Sequence, residues 1–433
     1  MQEVIPVSKS KPYSSVSVKS VDVPFLVKTH VGQACVFGLD VAKFELMGVV
    51  RWPDGSFLRP WRIVNPDELV VLIGKLKELH ASCPVTVALE SSGTYGDALR
   101  QAVSDAGIAL KRVSAKAVKD QAETFDGVPS QHDGKDAAII ADLCARGKGA
   151  VWELAQAGDD STDAAIRYWV RRLDAAQRLK QMLGGRTEAL LARHWPEITR
   201  LVKGTSATLA GALSHWGDPA ALACDLQAAA TLARIGGYYL KESKITAVIA
   251  SAGTTAGVRM NAWERRELQE LGAQLLQQRK EIADCKRHLR KLTKDHEVIT
   301  AQTPAVGLTA ACVLWTHLGD PRDYGSAAAY RKAMGLNLVE HSSGRCKGQL
   351  HLSKRGQRLA RKWLYFSALR WMRDASIKPW VTAKKARDGG KGMRAMVGVM
   401  RRLALCAWHV AVHGVAFDAG RLFPGAVAKG ART

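Results

Sequence analysis

Four acidic residues in the N-terminal third, Asp40, Glu90, Asp133 and Asp136, have the types and placing that metal-assisted chemistry on phosphates needs. Asp40 closes the apolar run Ala34-Cys35-Val36-Phe37-Gly38-Leu39-Asp40, which reads as a buried strand. Glu90 closes a second run, Val85-Thr86-Val87-Ala88-Leu89-Glu90. Asp133 and Asp136 open a helical pattern, His132-Asp133-Gly134-Lys135-Asp136-Ala137-Ala138-Ile139-Ile140, and residues at i and i+3 share a helix face. Four carboxylates brought together without bases between them repel one another unless divalent cations neutralise them. So neutralised, the set suits two-metal phosphoryl transfer, in which ions roughly 3.5–4 Å apart clamp the attacking and leaving oxygens. Any one of these acids alone has a structural explanation as a turn residue or helix cap, Asp133 above all. It is their order, two strand-end acids and then a helical pair, that points to a site.

The elements that would position them follow an RNase H-like order. Ala34–Val41, Glu45–Trp52 and Phe57–Val64 read as a three-stranded meander, with Pro53-Asp54-Gly55 as a turn. A helix from Asn65 to about His80 places Leu69, Leu72, Leu76 and Leu79 on one face. Strand Val85–Glu90, a helix from Tyr95 and strand Ile108–Val113 complete an α/β domain over residues 33–150, behind a flexible extension over 1–32. Residues 151–297 turn helical and polar. Leu268, Leu271, Leu275, Gln278, Ile282, Cys285, Leu289 and Leu292 alternate spacings of three and four, the seam of a coiled coil. That seam predicts either a homodimer or an intramolecular antiparallel hairpin. Residues 200–258, rich in Ala, Gly and Thr, carry no pattern that assigns them a role. Residues 298–420 read as a compact helical domain, followed by a tail over 421–433. In it, Thr303-Pro304-Ala305-Val306-Gly307-Leu308 resembles the turn of helix-hairpin-helix DNA binders, which offer backbone N–H groups to phosphates.

Composition narrows the partners. The 433-residue chain carries 63 Lys and Arg against 40 Asp and Glu, a net charge of +23, which points to a polyanion, most simply DNA or RNA. The charge concentrates between Arg345 and Arg402, where 17 Lys and Arg face only Asp374 and Asp388. Trp363, Tyr365, Trp371 and Trp380 interleave with them, either as stacking surfaces for unpaired bases or as core, the reading that helical spacing favours for Trp363 and Trp371. The 8 cysteines are scattered singly, with no zinc-like pairing, and read as reduced cytoplasmic thiols. No unbroken apolar run reaches the roughly 18 residues a membrane span needs.

Within the basic third lies Glu340-His341-Ser342-Ser343-Gly344-Arg345, followed by Ser353-Lys354-Arg355-Gly356. A serine beside a basic helix can meet a phosphate, but its hydroxyl needs neighbouring cations or a metal to act as a nucleophile. Arg345, Lys347, Lys354, Arg355 and Arg358 are the candidate phosphate contacts around it.

Gly38-Leu39-Asp40-Val41-Ala42-Lys43, Glu90-Ser91-Ser92-Gly93-Thr94-Tyr95, Asp133-x-x-Asp136-Ala137 and Ser342-Ser343-Gly344…Ser353-Lys354-Arg355-Gly356 together resemble the landmarks of the DEDD transposases, the insertion-sequence-110 family that includes Piv-type invertases. The resemblance covers roughly residues 33–415. It implies a RuvC-like domain binding Mg2+ through Asp40, Glu90, Asp133 and Asp136, a helical and coiled-coil assembly region, and a C-terminal transposase domain with a nucleophilic serine. That serine is Ser342 or its neighbour Ser343. The resemblance also implies donor and target DNA as partners, a bridge RNA as guide, a tetrameric synapse, and a bacterial or archaeal nucleoid setting. The chain departs from the family pattern at Gln131, where relatives often carry Lys, and at Ala305, where the hairpin turn usually has Gly. Two other readings of the same residues stand beside recombination: a RuvC-like junction nuclease using activated water, and a non-enzymatic nucleic-acid-binding protein.

Overall fold

The computed structural model describes residues 13–424 except 91–92, 129–131, 153, 155–157 and 344–345; the side chains of 341–343, 346–347 and 349 also lie outside the description. The chain divides into two units, Met1–Asp159 and Asp160–Thr433.

The first unit is a mixed sheet with helices on both faces. Its strands are β1 (Val16–Ser17), β2 (Cys35–Val41), β3 (Glu45–Arg51), β4 (Trp61–Val64), β5 (Val85–Glu90), β6 (Ala109–Val113) and β7 (Ala150–Val151), in the order β1-β4-β3-β2-β5-β6-β7. β2, β3 and β4 pair antiparallel, and β2, β5 and β6 run parallel. This is the meander followed by alternation that the sequence predicts. The third meander strand is shorter than expected, because Phe57 makes only an isolated bridge with Arg51. The helices are α1 (Val23–Val27), α2 (Leu69–Ser82), α3 (Asp97–Asp105), α4 (Ala115–Asp126) and α5 (Asp133–Leu143).

Side chains alternate across β2, so Phe37, Leu39 and Val41 face one side while Val36, Gly38 and Asp40 face the other. The first side is sealed by Leu72, Leu76 and Leu79 of α2 with Leu99 and Val103 of α3. The second is covered by α4 and α5, whose Val118, Ile139, Ile140 and Leu143 pack with Ala88 and Val113.

Residues 13–32 correct the expectation of a flexible extension. β1 pairs with β4, and Val18, Val21, Val23 and Val27 are buried in the sheet's core. Polar residues separate Val18, Val21 and Val23, and the one apolar run, Val23–Val27, is only five residues long, too short to mark a core element by periodicity.

The second unit is helical apart from one hairpin. α6 (Thr162–His194) and α12 (Ala262–Leu292) run antiparallel, bridged by Arg172–Glu281 and by Arg186–Glu267 at 2.8 Å. Between them come α7 (Ile198–Leu201), α8 (Ala207–Trp216), α9 (Pro219–Cys224), α10 (Ala228–Gly236) and α11 (Glu242–Gly253). These short helices absorb residues 200–258 into a core with Leu268, Leu271 and Leu275. Gly272 marks the closest crossing: a Cβ there would lie 2.5 Å from the Ser214 nitrogen of α8. Farther along, Cys285 and Leu289 enter the second core, with Ile282 and Leu292 packed against it. The heptad seam is therefore filled from within the chain, as an intramolecular hairpin with α8 laid against it. The expected homodimer through that coiled coil has no free seam to use.

Then follow α13 (Glu297–Val306), α14 (Leu308–Leu318), α15 (Ala327–Ala333), the hairpin strands β8 (Leu338–Ser343) and β9 (Cys346–Leu352), α16 (Arg358–Met372), α17 (Lys378–Arg387), α18 (Gly392–His413) and α19 (Ala419–Leu422). Trp371 and Trp380 are buried and Trp363 and Tyr365 pack against the same core, so these aromatics are structural. By length and composition α18 is apolar enough to cross a membrane, although half of that stretch is buried within the protein. Arg401 and Arg402 interrupt its run, and its face from Ala395 to Ala411 is the spine of a helical core.

Candidate active site

Asp40 is next to last in β2 and Glu90 is last in β5. The two strands are parallel with Leu39 opposite Leu89, so the register sets Asp40 beside Glu90. Gly38 shows what covers this face. A Cβ there would lie 2.3 Å from the Ala137 carbonyl oxygen and 2.5 Å from the Ala141 nitrogen. Helix α5 thus lies on β2 at a point only glycine permits, and its first turn, carrying Asp133 and Asp136, falls toward the Asp40 end.

The acids feel one another. The Asp40 carboxyl is pushed up to about 6, first by burial, then by Asp133 and Asp136 and finally by Glu90, against one hydrogen bond donated by the Val41 N–H at 3.0 Å. Burial and Asp136 raise Glu90; burial and Asp133 raise Asp136, with Lys135 and His132 opposing. Among the described residues, no Lys, Arg or His forms an ion pair with any of the four. Lys135, between the two helical acids in sequence, is turned away. Its buried Nζ donates to Asp126 Oδ1 and to the Val128 carbonyl, both at 2.6 Å, and the Tyr13 hydroxyl donates to Asp126 Oδ2.

Two further residues hold this constellation, and the sequence reading did not single them out. Buried Asn65 donates to the carbonyls of Ala42 and Lys43 at 3.2 Å and of Tyr95 at 3.5 Å, tying together the loops that follow Asp40 and Glu90. Asp142 accepts from Arg51 at 3.1 Å and pairs with Arg146, which fastens α5 to β3. Gly38 was legible, since a glycine inside a strand signals close backbone approach; Asn65 and Asp142 have no sequence signal.

The candidate serines lie in a hairpin rather than in the helical surroundings expected. Strands β8 and β9 pair from Leu338–Leu352 to Ser343–Cys346, and the register shifts between His341 and Ser343, so Ser342 falls at the irregularity. Such bulges re-aim a strand and recur beside active sites. The side chains of Ser342, Ser343 and Lys347, and all of Arg345 and Gln131, lie outside the described residues. Lys354, Arg355 and Arg358 are exposed at the hairpin's base. That base is rigid. Lys354 has a φ of 54°, the only non-glycine positive value among the described residues. A Cβ on Gly356 would lie 2.3 Å from the Ala333 carbonyl oxygen. Arg361 clamps the crossing through the carbonyls of Met334 and Gly356.

The helix-hairpin-helix expectation resolves into α13 and α14 joined at Gly307, with φ 86°. Ala305 does not prevent the turn. Its carbonyl and that of Val306 are capped by Trp371 and Ser367 at 2.6 Å.

Two family models match. One, for the DEDD transposases of IS110 and described as "Transposase", covers residues 37–196; the other, "Transposase IS116/IS110/IS902 family", covers 299–384. The first span contains all four acids and the second contains the hairpin. The chain is 24% identical over 385 residues to the transposase for insertion sequence element IS1111A of Coxiella burnetii (strain RSA 493 / Nine Mile phase I), covering 86% of this chain and 88% of that relative. The chain belongs to the IS110 family of transposases. The transposase is also 27% identical over 147 residues to that of IS1328 of Yersinia enterocolitica, spanning 32% of this chain and less than half, 43%, of that relative. A solved structure, T. thermophilus RuvC in complex with a Holliday junction substrate, aligns at 15% identity over 28% of this chain and 99% of that one, with a TM-score of 0.22.

Membership makes the chain an enzyme acting on DNA. Its acid set suits a hard divalent cation, which prefers carboxylate oxygens and would relieve the repulsion that raises Asp40. Among the described residues, no three such side chains yet stand close enough to form a closed ligand cage.

Proposed function

We propose that this transposase is a site-specific DNA recombinase of an insertion sequence, with Ser342 as nucleophile and Asp40, Glu90, Asp133 and Asp136 as the site of Mg2+. What carries this reading is the uncompensated acid cluster: Asp40, Glu90 and Asp136 half-buried beside an exposed Asp133, repelling one another without a paired cation among the described residues, in a chain otherwise strongly basic. A nucleic-acid-binding protein without chemistry has no use for it.

The serine Oγ attacks a DNA phosphorus; the new O–P bond replaces the bond to a sugar oxygen, which leaves with a proton while the serine gives one up. Reversal by the sugar hydroxyl of an exchanged strand restores a phosphodiester and frees the serine, so no hydrolysis intervenes. Bound Mg2+ would neutralise charge building on the phosphate. Asp40 and Glu90, fixed by strand register, hold the rigid half of that site, and α5 brings the other half. Lys354, Arg355, Arg358, Arg345 and Lys347 position DNA through its backbone. A bridge RNA and a tetrameric synapse belong to this reading by family resemblance, and the net charge of +23 suits a protein with two polyanions to hold.

The test mixes purified protein, element-end DNA, the element's RNA and Mg2+, and resolves the products on a denaturing gel. The expected result is a protein–DNA adduct, absent in Ser342→Ala and without metal. An adduct that persists in Ser342→Ala moves the nucleophile to Ser343. Free cut ends without adduct would replace recombination by hydrolysis.

A further inference from the structure

A groove of 1460 Å3 opens in the C-terminal unit between the β8–β9 hairpin and helices α17 and α18. Eight Lys and Arg residues line it against two acids, Asp388 and Asp418, with apolar stretches from Leu338, Leu350 and Val397 between the charges. Two of these cations are already engaged. Lys384 pairs with Asp388 at 2.6 Å, and Arg402 donates to the Leu422 carbonyl while lying over Trp380.

Arg331 on α15 and Arg401 on α18 are different. Both are half-buried, and neither forms an ion pair with a carboxylate among the described residues. Arg331 reaches only the side-chain oxygen of Asn337, at 3.4 Å. Arg401 Nε is buried without a hydrogen-bond partner, and burial together with Arg331 depresses its basicity. A pair of like charges withdrawn from water costs stability unless an anion compensates it.

We propose that Arg331 and Arg401 form the seat for a backbone phosphate of an unpaired polynucleotide strand lying in this groove. The apolar stretches between the cations suit exposed sugar and base faces, which a duplex keeps stacked inside. Asn337, in contact with Arg331, is five residues ahead of Ser342, about 16 Å along an extended strand. The phosphate held is therefore a flanking one and not the phosphate that reacts. The seat rests on the recombinase reading, since strand exchange is what presents an unpaired strand beside the hairpin.

The test measures binding of the full chain, without Mg2+, to labelled single-stranded oligothymidylate, oligouridylate and a DNA duplex across a salt series. Arg331→Gln and Arg401→Gln should each weaken single-strand binding by roughly tenfold and lower the salt slope by about one phosphate contact. Arg401→Lys should keep the slope. Duplex binding should change little, and the melting temperature of the free variants should hold or rise as uncompensated charge is removed. Preference for oligothymidylate assigns the seat to a DNA strand, and preference for oligouridylate to RNA. Unchanged single-strand affinity and slope would overturn the seat while leaving recombination standing. A fall in melting temperature would overturn it too, because the arginines would then hold the fold. Absence of salt-dependent binding by the unaltered protein would sink the recombinase reading and the seat together.

Discussion

Asp40 stands where the electrostatic cost of the site is greatest, because it is the most enclosed of the acids and all three others act on it. Asp40→Asn and Glu90→Gln should each lower strand exchange by about a thousandfold or more, while nucleic-acid affinity measured by anisotropy stays within a few-fold. Loss of affinity along with activity would instead make these acids structural. Stability should move the opposite way. The folded Asp40 carboxyl titrates near 6 against 3.8 for a free one, so the folded chain holds this proton more tightly. Its contribution to metal-free stability is then greatest below about pH 4 and declines as pH rises through 6. At pH 7.5 with chelator, Asp40→Asn should be more stable by about 1–2 kcal/mol, after allowance for solvent screening, or a few degrees in a thermal melt. Added Mg2+ should close that gap by stabilising only the unaltered protein. A variant that melts lower at pH 7.5 would mean that Asp40 is not repelled.

At the scale of elements, the site depends on how α5 lies on β2. Gly38→Ala places a methyl inside the Ala137 and Ala141 backbone. It should cost about 1–3 kcal/mol and weaken Mg2+ binding in a calorimetric titration, because α5 must lift and take Asp133 and Asp136 with it. Unchanged metal affinity would show that the helix acids do not share the ion. Lys135→Met leaves Asp126 near Tyr13 without its cation and should destabilise by about 3 kcal/mol in denaturant unfolding. Strands β2, β3 and β5 and helix α2 were legible because their apolar residues follow one period over a whole element. The β8–β9 hairpin was not, because Leu338–Ser343 and Cys346–Leu352 mix polar and apolar residues and flank a flexible Ser-Ser-Gly.

Over the whole molecule, the heptad seam shows how periodicity identifies a face without identifying its occupant. Leu275 is fully buried within one chain. Leu275→Asp should therefore destabilise the protein by about 3 kcal/mol or more, seen by circular dichroism as a lower melting temperature at any concentration. Sedimentation should show no shift from dimer to folded monomer; a folded monomer would return the seam to an intermolecular role. Any assembly of the transposase then has to use other surfaces.

The four acids, their order on two strand ends and a helix, and the basic C-terminal third were readable from residue types and spacing, while the family was legible only as a resemblance carried by four short motifs. These are local quantities, fixed by side-chain alternation, helical period and charge count. Tertiary structure alone decided which partners those patterns meet. It placed α5 on Gly38 so that the acids repel, sent Lys135 to Asp126 instead of to its neighbouring aspartates, and gave α12 to α6 and α8 within one chain. It also set Arg331 beside Arg401 across 70 residues of sequence. Contacts of that range depend on chain closure and packing, which no local pattern encodes.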